Sequence, residues 1–162
     1  SAQYAAGLML EFTPDSLSYG GLPLDLAFTT WAKKENKKLV SLETMRQQFD
    51  YLFNGQTEEE QLEDLLLMIK DPDSMEEGVN GILLAYHAND LDGILEASQS
   101  MEDASGDLSI LIDERNFNWI DILSEPLMDG GLFIAVGALH LPGETGLIKL
   151  LRAKGFTLTA LN

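Results

Sequence analysis

The sequence predicts an α/β fold, a small mixed sheet flanked by helices, with a helix-rich middle segment. Three short apolar segments are typical of strands, and they lie at residues 39–42, 131–137 and 156–161. Between them lie longer stretches with apolar residues at helical spacing. Strands that alternate with helices are typical of α/β proteins. The 162 residues form a single domain or part of one, and this length suffices for a core without disulfides or a structural metal.

The first third of the chain is predicted to contain two helices around one strand. Residues 23–34 have a proline near their start and lysines at their end, as helices often do. The strand at residues 39–42 follows. A second helix is predicted at residues 44–53. The Asn-Gly pair that follows is predicted to end this helix, because both residues tolerate a positive φ. The apolar run at residues 5–12 fits either a helix or a strand.

Helices dominate the middle of the chain. Thr57 and Glu60 have the spacing of a capping box, in which a side chain at each position satisfies a free amide at a helix start. Apolar residues at helical spacing follow this box, namely Leu62, Leu65, Leu66 and Ile69. Further helices are predicted at residues 74–87, at residues 90–100, from residue 113 onward and at residues 145–154.

The charge of the chain argues against nucleic acid as a partner. The net charge is −17, and residues 57–107 hold fifteen Asp or Glu residues against one Lys. Nucleic acid is bound through Lys and Arg, and this chain offers only four clustered lysines within residues 33–38. Those lysines are better explained as complements to the negative end of a helix. The acidic segment is interpreted as the solvated faces of several helices.

Three further features of the composition limit the function. The absence of cysteine excludes disulfides, thiolate zinc sites and a cysteine nucleophile. Since no apolar run is long enough to cross a bilayer, we expect no membrane span in this chain. The start at Ser1 has neither Met nor a basic segment before an apolar one, so we expect the native N-terminus, with any signal peptide, to lie upstream.

Residues 137–146 form the most informative stretch. They contain His140, one of only two histidines, in a glycine-punctuated turn between a predicted strand and a predicted helix. Ligands of open α/β sheets bind beyond the carboxyl ends of strands, so His140 is the first candidate for chemistry. The turn lacks the Gly-Lys-Ser/Thr of a phosphate loop, and the chain has neither HExxH nor Gly-x-Ser-x-Gly. His87, at a predicted helix end, is interpreted as a capping or surface residue.

Several motifs together resemble the TraB/GumN/TIKI family. They are residues 40–44 with Gln47, the Glu-Arg-Asn at residues 114–116, the Gly-x-x-His turn within residues 137–146, and the Gly-Phe pair at residues 155–156. The resemblance extends from about Leu24 to Leu161 and corresponds to the later, C-terminal part of a family domain. The earlier Gly-x-x-His block that members usually carry is not found in this sequence.

The resemblance implies a metal-dependent hydrolase with peptidase activity, inactive or weakly active as this portion alone. It implies that His140 is the nitrogen ligand of a divalent metal ion such as manganese, cobalt or zinc. Glu43 would be an oxygen ligand or the general base. Arg115 would hold a substrate carboxylate or stabilise an oxyanion, and Asn116 would orient a neighbouring group.

Each of these assignments has a structural alternative. His140 could be a satisfied buried histidine, Glu43 could cap the next helix, and Arg115 could pair with a neighbouring acid. Gly137 and Gly143 are expected to set the backbone geometry of the turn whether or not the site is active.

The sequence is also compatible with two functions other than hydrolysis, and it leads us to expect a homodimer. The chain could be a non-catalytic interaction module that binds a partner through its acidic helical surface, or a carrier of a small ligand. The metal-dependent hydrolase is expected to act on a peptide or protein substrate. A homodimer is also expected, because a sheet that lacks its neighbouring strands exposes an edge.

Overall fold

The fold is helical in the computed structural model, which describes residues 18–19, 22–105 and 108–161. A two-residue antiparallel pair comes first, β1 (Ser18–Tyr19) with β2 (Leu22–Pro23), in which Tyr19 lies opposite Leu22. The helices of the described part are α1 (Leu24–Lys34), α2 (Met45–Asn54), α3 (Glu58–Lys70), α4 (Pro72–Ala88), α5 (Leu91–Ser105), α6 (Ser109–Asp129) and α7 (Leu147–Ala153). A short 3-10 helix at Ala138–His140 lies between α6 and α7.

The predicted α/β fold with a small mixed sheet is therefore wrong. Within the described ranges β1 and β2 are the only paired strands, and residues 39–42, 131–137 and 156–161 join no ladder. Of their apolar residues, Leu42, Ile134 and Val136 instead pack against the buried cluster of Trp119, Leu123 and Leu147. A strand requires a neighbouring strand that exchanges hydrogen bonds with it, and apolar periodicity does not report that neighbour.

The predicted capping box at Thr57 is confirmed, and Thr44 forms a second one at the start of α2. The Thr57 hydroxyl accepts from the backbone N–H of Glu60 at 3.3 Å, while the Glu60 carboxylate accepts from the Thr57 N–H at 2.7 Å. Thr44 and Gln47 repeat the arrangement at 3.2 and 2.8 Å. The Thr44 box fixes the start of α2 and so places Glu43 in the turn directly before a helix.

The other predicted helices are present with shifted ends. The helix predicted from residue 113 onward already begins at Ser109, and the one predicted at residues 90–100 extends to Ser105. The helix at residues 44–53 does stop at the Asn-Gly pair, but Gly55 has a φ of −69°. A Cβ there would lie 2.9 Å from the Ile110 side chain, so close packing explains this glycine. The apolar run at residues 5–12 lies outside the described residues.

Helix α6 is central to the packing. Its Trp119 and Leu123 form a buried cluster with Leu147 of α7. Half-buried apolar residues surround this cluster, namely Leu42, Leu127, Ile134 and Val136. Leu42 lies in the turn before α2, and Leu147 is the first residue of α7. Because both pack against α6, the turn before α2 and the turn before α7 lie beside the same helix. In the part of the chain that is described, no helix combines the length and apolar character needed to cross a membrane.

Candidate functional site

Helix α6 carries three of the residues that form the site. Trp119 lies four positions after Arg115 and three after Asn116, so it neighbours both on the helix surface. The turn before α2 brings Glu43 to this surface, and the 3-10 helix brings His140. Glu43, Arg115, Trp119 and His140 all line one open cavity of about 660 Å³, which also borders Gly137.

Glu43 and Arg115 form a bidentate ion pair. Arg115 donates from Nε to Glu43 Oε2 at 3.0 Å and from Nη2 to Oε1 at 2.9 Å, and its Nη1 donates to the Leu111 carbonyl at 3.0 Å. The two side chains are only 13% and 17% exposed for Glu43 and Arg115, respectively. Both carboxylate oxygens of Glu43 thus accept hydrogen bonds from Arg115. The same edge of the guanidinium, Nε and Nη2, would otherwise be able to bind a substrate carboxylate with two hydrogen bonds.

Asn116 fixes the orientation of His140. It is fully buried, and its Nδ2 donates to the carbonyl oxygens of His140 at 3.2 Å and Thr145 at 2.9 Å. The amide oxygen Oδ1 then faces His140 Nδ1 at 2.9 Å. Since Oδ1 can only accept, the hydrogen must lie on Nδ1, and the neutral ring carries its free lone pair on Nε2.

Trp119 joins the two halves of the site. The guanidinium carbon of Arg115 lies 4.8 Å from the centre of the Trp119 ring, and the His140 ring centre lies 4.5 Å from it. The sequence analysis did not single out Trp119 and so missed these contacts. Its position four residues after Arg115 on a predicted helix is the signal that could have revealed the first of them.

Burial and, to a smaller extent, the positive charge of Arg115 together lower the pKa of His140 to about 4. The residue is only 6% exposed, so water cannot stabilise the imidazolium form. At neutral pH His140 is therefore uncharged. No side chain or backbone group in the described ranges hydrogen bonds to Nε2, which leaves this atom able to bind a proton or a metal ion.

We expect acid to destabilise the fold through His140. Between the ordinary histidine pKa of about 6.5 and the folded value of about 4, the unfolded chain binds the proton and the folded chain does not. The contribution of His140 to the free energy of unfolding is thus fully present above pH 6.5 and is lost as the pH decreases to 4. The loss is on the order of 3 kcal/mol, since each pKa unit corresponds to about 1.4 kcal/mol.

Urea unfolding across this pH range checks the expectation against His140→Gln, which has no group that titrates there. The wild type should lose more stability than the variant as the pH falls. Parallel losses in the two proteins would show that His140 keeps an ordinary pKa in the fold.

The turn from Leu141 to Gly146 is held tightly against α6. Thr145 donates from Oγ1 to the Asp113 carboxylate at 2.7 Å. Gly143 has a φ of +85°, and a Cβ on Gly146 would overlap the carbonyl oxygens of Leu141 and Pro142, so both positions require glycine. By contrast, Gly137 has a φ of −60° and borders the His140 ring, where a Cβ would lie 3.5 Å from Cδ2.

The structure thus brings four of the predicted site residues together beside α6, namely Glu43, Arg115, Asn116 and His140, and Gly137 borders the same cavity. Gly143 instead lies against Leu95 of α5. Glu43 pairs with Arg115 rather than with a helix start, and His140 contacts Asn116. The described residues contain no group of three or more His, Asp or Glu side chains able to hold a metal ion. Three side chains of types that can bind a metal ion line this cavity, namely Asp25, Glu43 and His140, and Glu43 is engaged by Arg115.

The acidic segment forms α3, α4 and α5. Its acids on α3 are exposed except Asp64, which is 9% exposed and accepts from Gln56 Nε2 at 2.7 Å. Four apolar side chains of α3 are also exposed, namely Leu62, Leu66, Leu67 and Ile69. The binding of a partner to this surface stays a prediction.

The comparison with known families bears on the motifs described above. The model of the TraB/PrgY/gumN family matches residues 2–160. This match confirms the predicted resemblance and corrects its extent, because it covers essentially the whole chain rather than beginning near Leu24. No curated protein and no solved structure matches the chain.

Proposed function

The chain belongs to the TraB/PrgY/gumN family, and on that premise we propose that it is part of a metal-dependent hydrolase that acts on peptides through His140. In this proposal His140 Nε2 is the nitrogen ligand of a divalent ion of the manganese, cobalt or zinc type. The orientation of the imidazole by Asn116 carries the proposal. Metal-binding histidines nearly always donate their other ring N–H to a fixed acceptor, which is what Nδ1 does here at 2.9 Å.

The described residues fit one ligand of such an ion, not a complete set. His140 is neutral at pH 7, as a ligand must be. Each carboxylate oxygen of Glu43 accepts one hydrogen bond from Arg115 and retains a second lone pair with which it could bind the ion. A divalent ion held at Nε2 would supply Lewis acidity toward a carbonyl oxygen of the substrate.

The remaining residues prepare His140 for this role. Asn116 keeps the proton on Nδ1, so the lone pair stays on Nε2. Arg115 disfavours the imidazolium form by its charge, and Glu43 fixes Arg115 in place through two hydrogen bonds. Trp119 covers part of the imidazole ring and excludes water from it. The pair of Glu43 and Arg115 therefore acts as a positioning unit for His140.

Metal titration tests the proposal, with the second histidine as a matched control. We expect manganese, cobalt or zinc to bind the wild type in calorimetry, and we expect His140→Ala to abolish that binding. His87→Ala removes an exposed histidine on α4 and should leave the binding unchanged. Absence of binding in the wild type, or equal binding by His140→Ala, would refute the proposed role of His140.

A second measurement guards against misfolding of His140→Ala. In the His87→Ala protein, paramagnetic Mn²⁺ should broaden the imidazole NMR signals of the remaining histidine, His140, before those of other side chains. Broadening that begins instead at the acidic helices would place the ion elsewhere and contradict the proposal.

A further inference from the structure

A row of three hydrogen bonds runs from the His140 ring to Asp113. His140 Nδ1 donates to Asn116 Oδ1 at 2.9 Å. Asn116 Nδ2 donates to the Thr145 carbonyl at 2.9 Å, and Thr145 Oγ1 donates to Asp113 Oδ1 at 2.7 Å. Asn116 and Asp113 both belong to α6, three positions apart, so one helix holds two members of the row at a fixed separation. Thr145 lies between them and joins the turn before α7 to both.

The Thr145 carbonyl helps to set which way the Asn116 amide faces. Nδ2 of this amide donates to two carbonyl oxygens, those of His140 at 3.2 Å and Thr145 at 2.9 Å. Carbonyl oxygens only accept, so a reversed amide would place its own oxygen against both of them and lose both hydrogen bonds. The two carbonyls therefore keep Oδ1 turned toward the His140 ring, and displacement of the Thr145 carbonyl removes one of these two constraints.

The turn that carries Thr145 is closed on itself. The Ile148 N–H donates to the Leu141 carbonyl at 3.3 Å, and the Gly146 N–H donates to the Gly143 carbonyl at 3.3 Å. Gly146 packs so closely on the preceding backbone that a Cβ would overlap the Leu141 carbonyl oxygen. A shift of the Thr145 side chain on α6 is thus passed to its own carbonyl rather than absorbed within a loose loop.

Asp113 and Thr145 lie outside the cavity that contains His140. They line a separate cavity of about 350 Å³, in which Ser98 of α5 is another lining residue. Neither of them is among the residues that line the 660 Å³ cavity. An ion or a substrate in the cavity of His140 is therefore bordered by other residues, and the effect of Asp113 on His140 passes through Thr145 and Asn116.

We infer that Asp113 is a positioning residue for His140, acting through Thr145 and Asn116. Its carboxylate holds the Thr145 hydroxyl, and the Thr145 carbonyl holds the Asn116 amide. The amide oxygen in turn holds the hydrogen on His140 Nδ1. A hydroxyl forms a shorter and stronger hydrogen bond with a carboxylate than with a neutral acceptor, which favours an acid at this position. The effect on the ring does not need a bound ion, whereas its consequence for metal binding rests on the proposed function.

Exchange of the Nδ1 hydrogen with water tests the inference in metal-free protein. The His87→Ala background leaves His140 as the one histidine, so its ring signal in NMR needs no assignment. Thr145→Val keeps the branched shape of the side chain but removes the donor to Asp113. We expect exchange at pH 7 to become at least about fivefold faster, as for the loss of one ordinary hydrogen bond. Thr145→Ser keeps the hydroxyl, and its exchange rate should stay within about twofold of that of the parent protein.

Variants of Asp113 and a matched control separate positioning from a general loosening of the fold. Asp113→Ala should speed the exchange about as much as Thr145→Val, and the double variant should be no faster, because all three lack the same hydrogen bond. Asp113→Asn keeps an acceptor without the charge and should fall between Asp113→Ala and the parent protein. Ser98→Ala removes another buried hydroxyl of the same cavity, which donates to the Leu95 carbonyl at 2.8 Å, and should leave the exchange unchanged.

Unchanged exchange in Thr145→Val, or equal acceleration by Ser98→Ala, would overturn the inference. Asp113→Ala carries the same test should Thr145→Val fail to fold. Manganese calorimetry keeps this result apart from the proposed function, under which Asp113→Ala should weaken manganese binding at least about fivefold. Faster exchange in the variants together with no manganese binding by the parent protein would refute the proposed function and support this inference.

Discussion

Asn116→Ala is expected to lower the free energy of unfolding by about 3–5 kcal/mol, which is a large part of the stability of a domain of this size. The side chain is fully buried and makes three hydrogen bonds, to the carbonyls of His140 and Thr145 and to His140 Nδ1. Its removal leaves three groups without partners, each at a cost of about 1–3 kcal/mol unless water or local rearrangement satisfies it.

Asn118→Ala is the matched control for this change. Asn118 lies two residues later on α6, is exposed, and donates one hydrogen bond to the Tyr51 hydroxyl at 2.8 Å. We expect its substitution to cost less than about 1 kcal/mol. Denaturant unfolding of the three proteins at pH 7.5 gives the comparison. If Asn116→Ala cost no more than Asn118→Ala, Asn116 would not hold the turn against α6.

The second large effect concerns the ion pair of Glu43 and Arg115. We expect either Glu43→Gln or Arg115→Met to destabilise the chain by about 3 kcal/mol, because each change leaves the other charge largely buried without its partner. The double variant should cost clearly less than the sum of the two single variants, since it leaves no uncompensated charge. Unfolding of all four proteins in urea completes the cycle.

An exposed pair provides the comparison. Lys154 donates to the Asp121 carboxylate at 2.9 Å, as short as the Arg115 contact, but the two side chains are 47% and 77% exposed. Asp121→Asn should therefore change the stability by no more than about 1 kcal/mol. Additive effects of the Glu43 and Arg115 variants, or an equal effect of Asp121→Asn, would show that burial does not strengthen the coupling of the first pair.

The helices could be predicted from the sequence because the interactions that form them are local. The capping box of Thr57 and Glu60 spans three residues, and the apolar spacing of α3 is visible within four turns. The sequence could not show that the three predicted strands stay unpaired among the described residues, because strand pairing depends on a distant segment. Residues 131–137 show the alternation of a strand while lying on α6 without a partner strand among the described residues.

The same distinction applies to the site. The resemblance pointed to Glu43, Arg115, Asn116 and His140, and the structure brings them together although Glu43 and Arg115 are 72 residues apart in sequence. No spacing rule predicts a pairing over such a distance. The contact of Trp119 with the His140 ring was likewise beyond reach, since it depends on how the 3-10 helix docks on α6.

The state of the His140 ring is the central claim of this account, and long-range ¹H–¹⁵N NMR correlation measures it directly. In the His87→Ala protein a single histidine remains, so its signals need no assignment. We predict that at pH 7 the ring is neutral with its hydrogen on Nδ1, and that it titrates only near pH 4. A hydrogen on Nε2, or titration near the ordinary histidine pKa of about 6.5, would contradict the account.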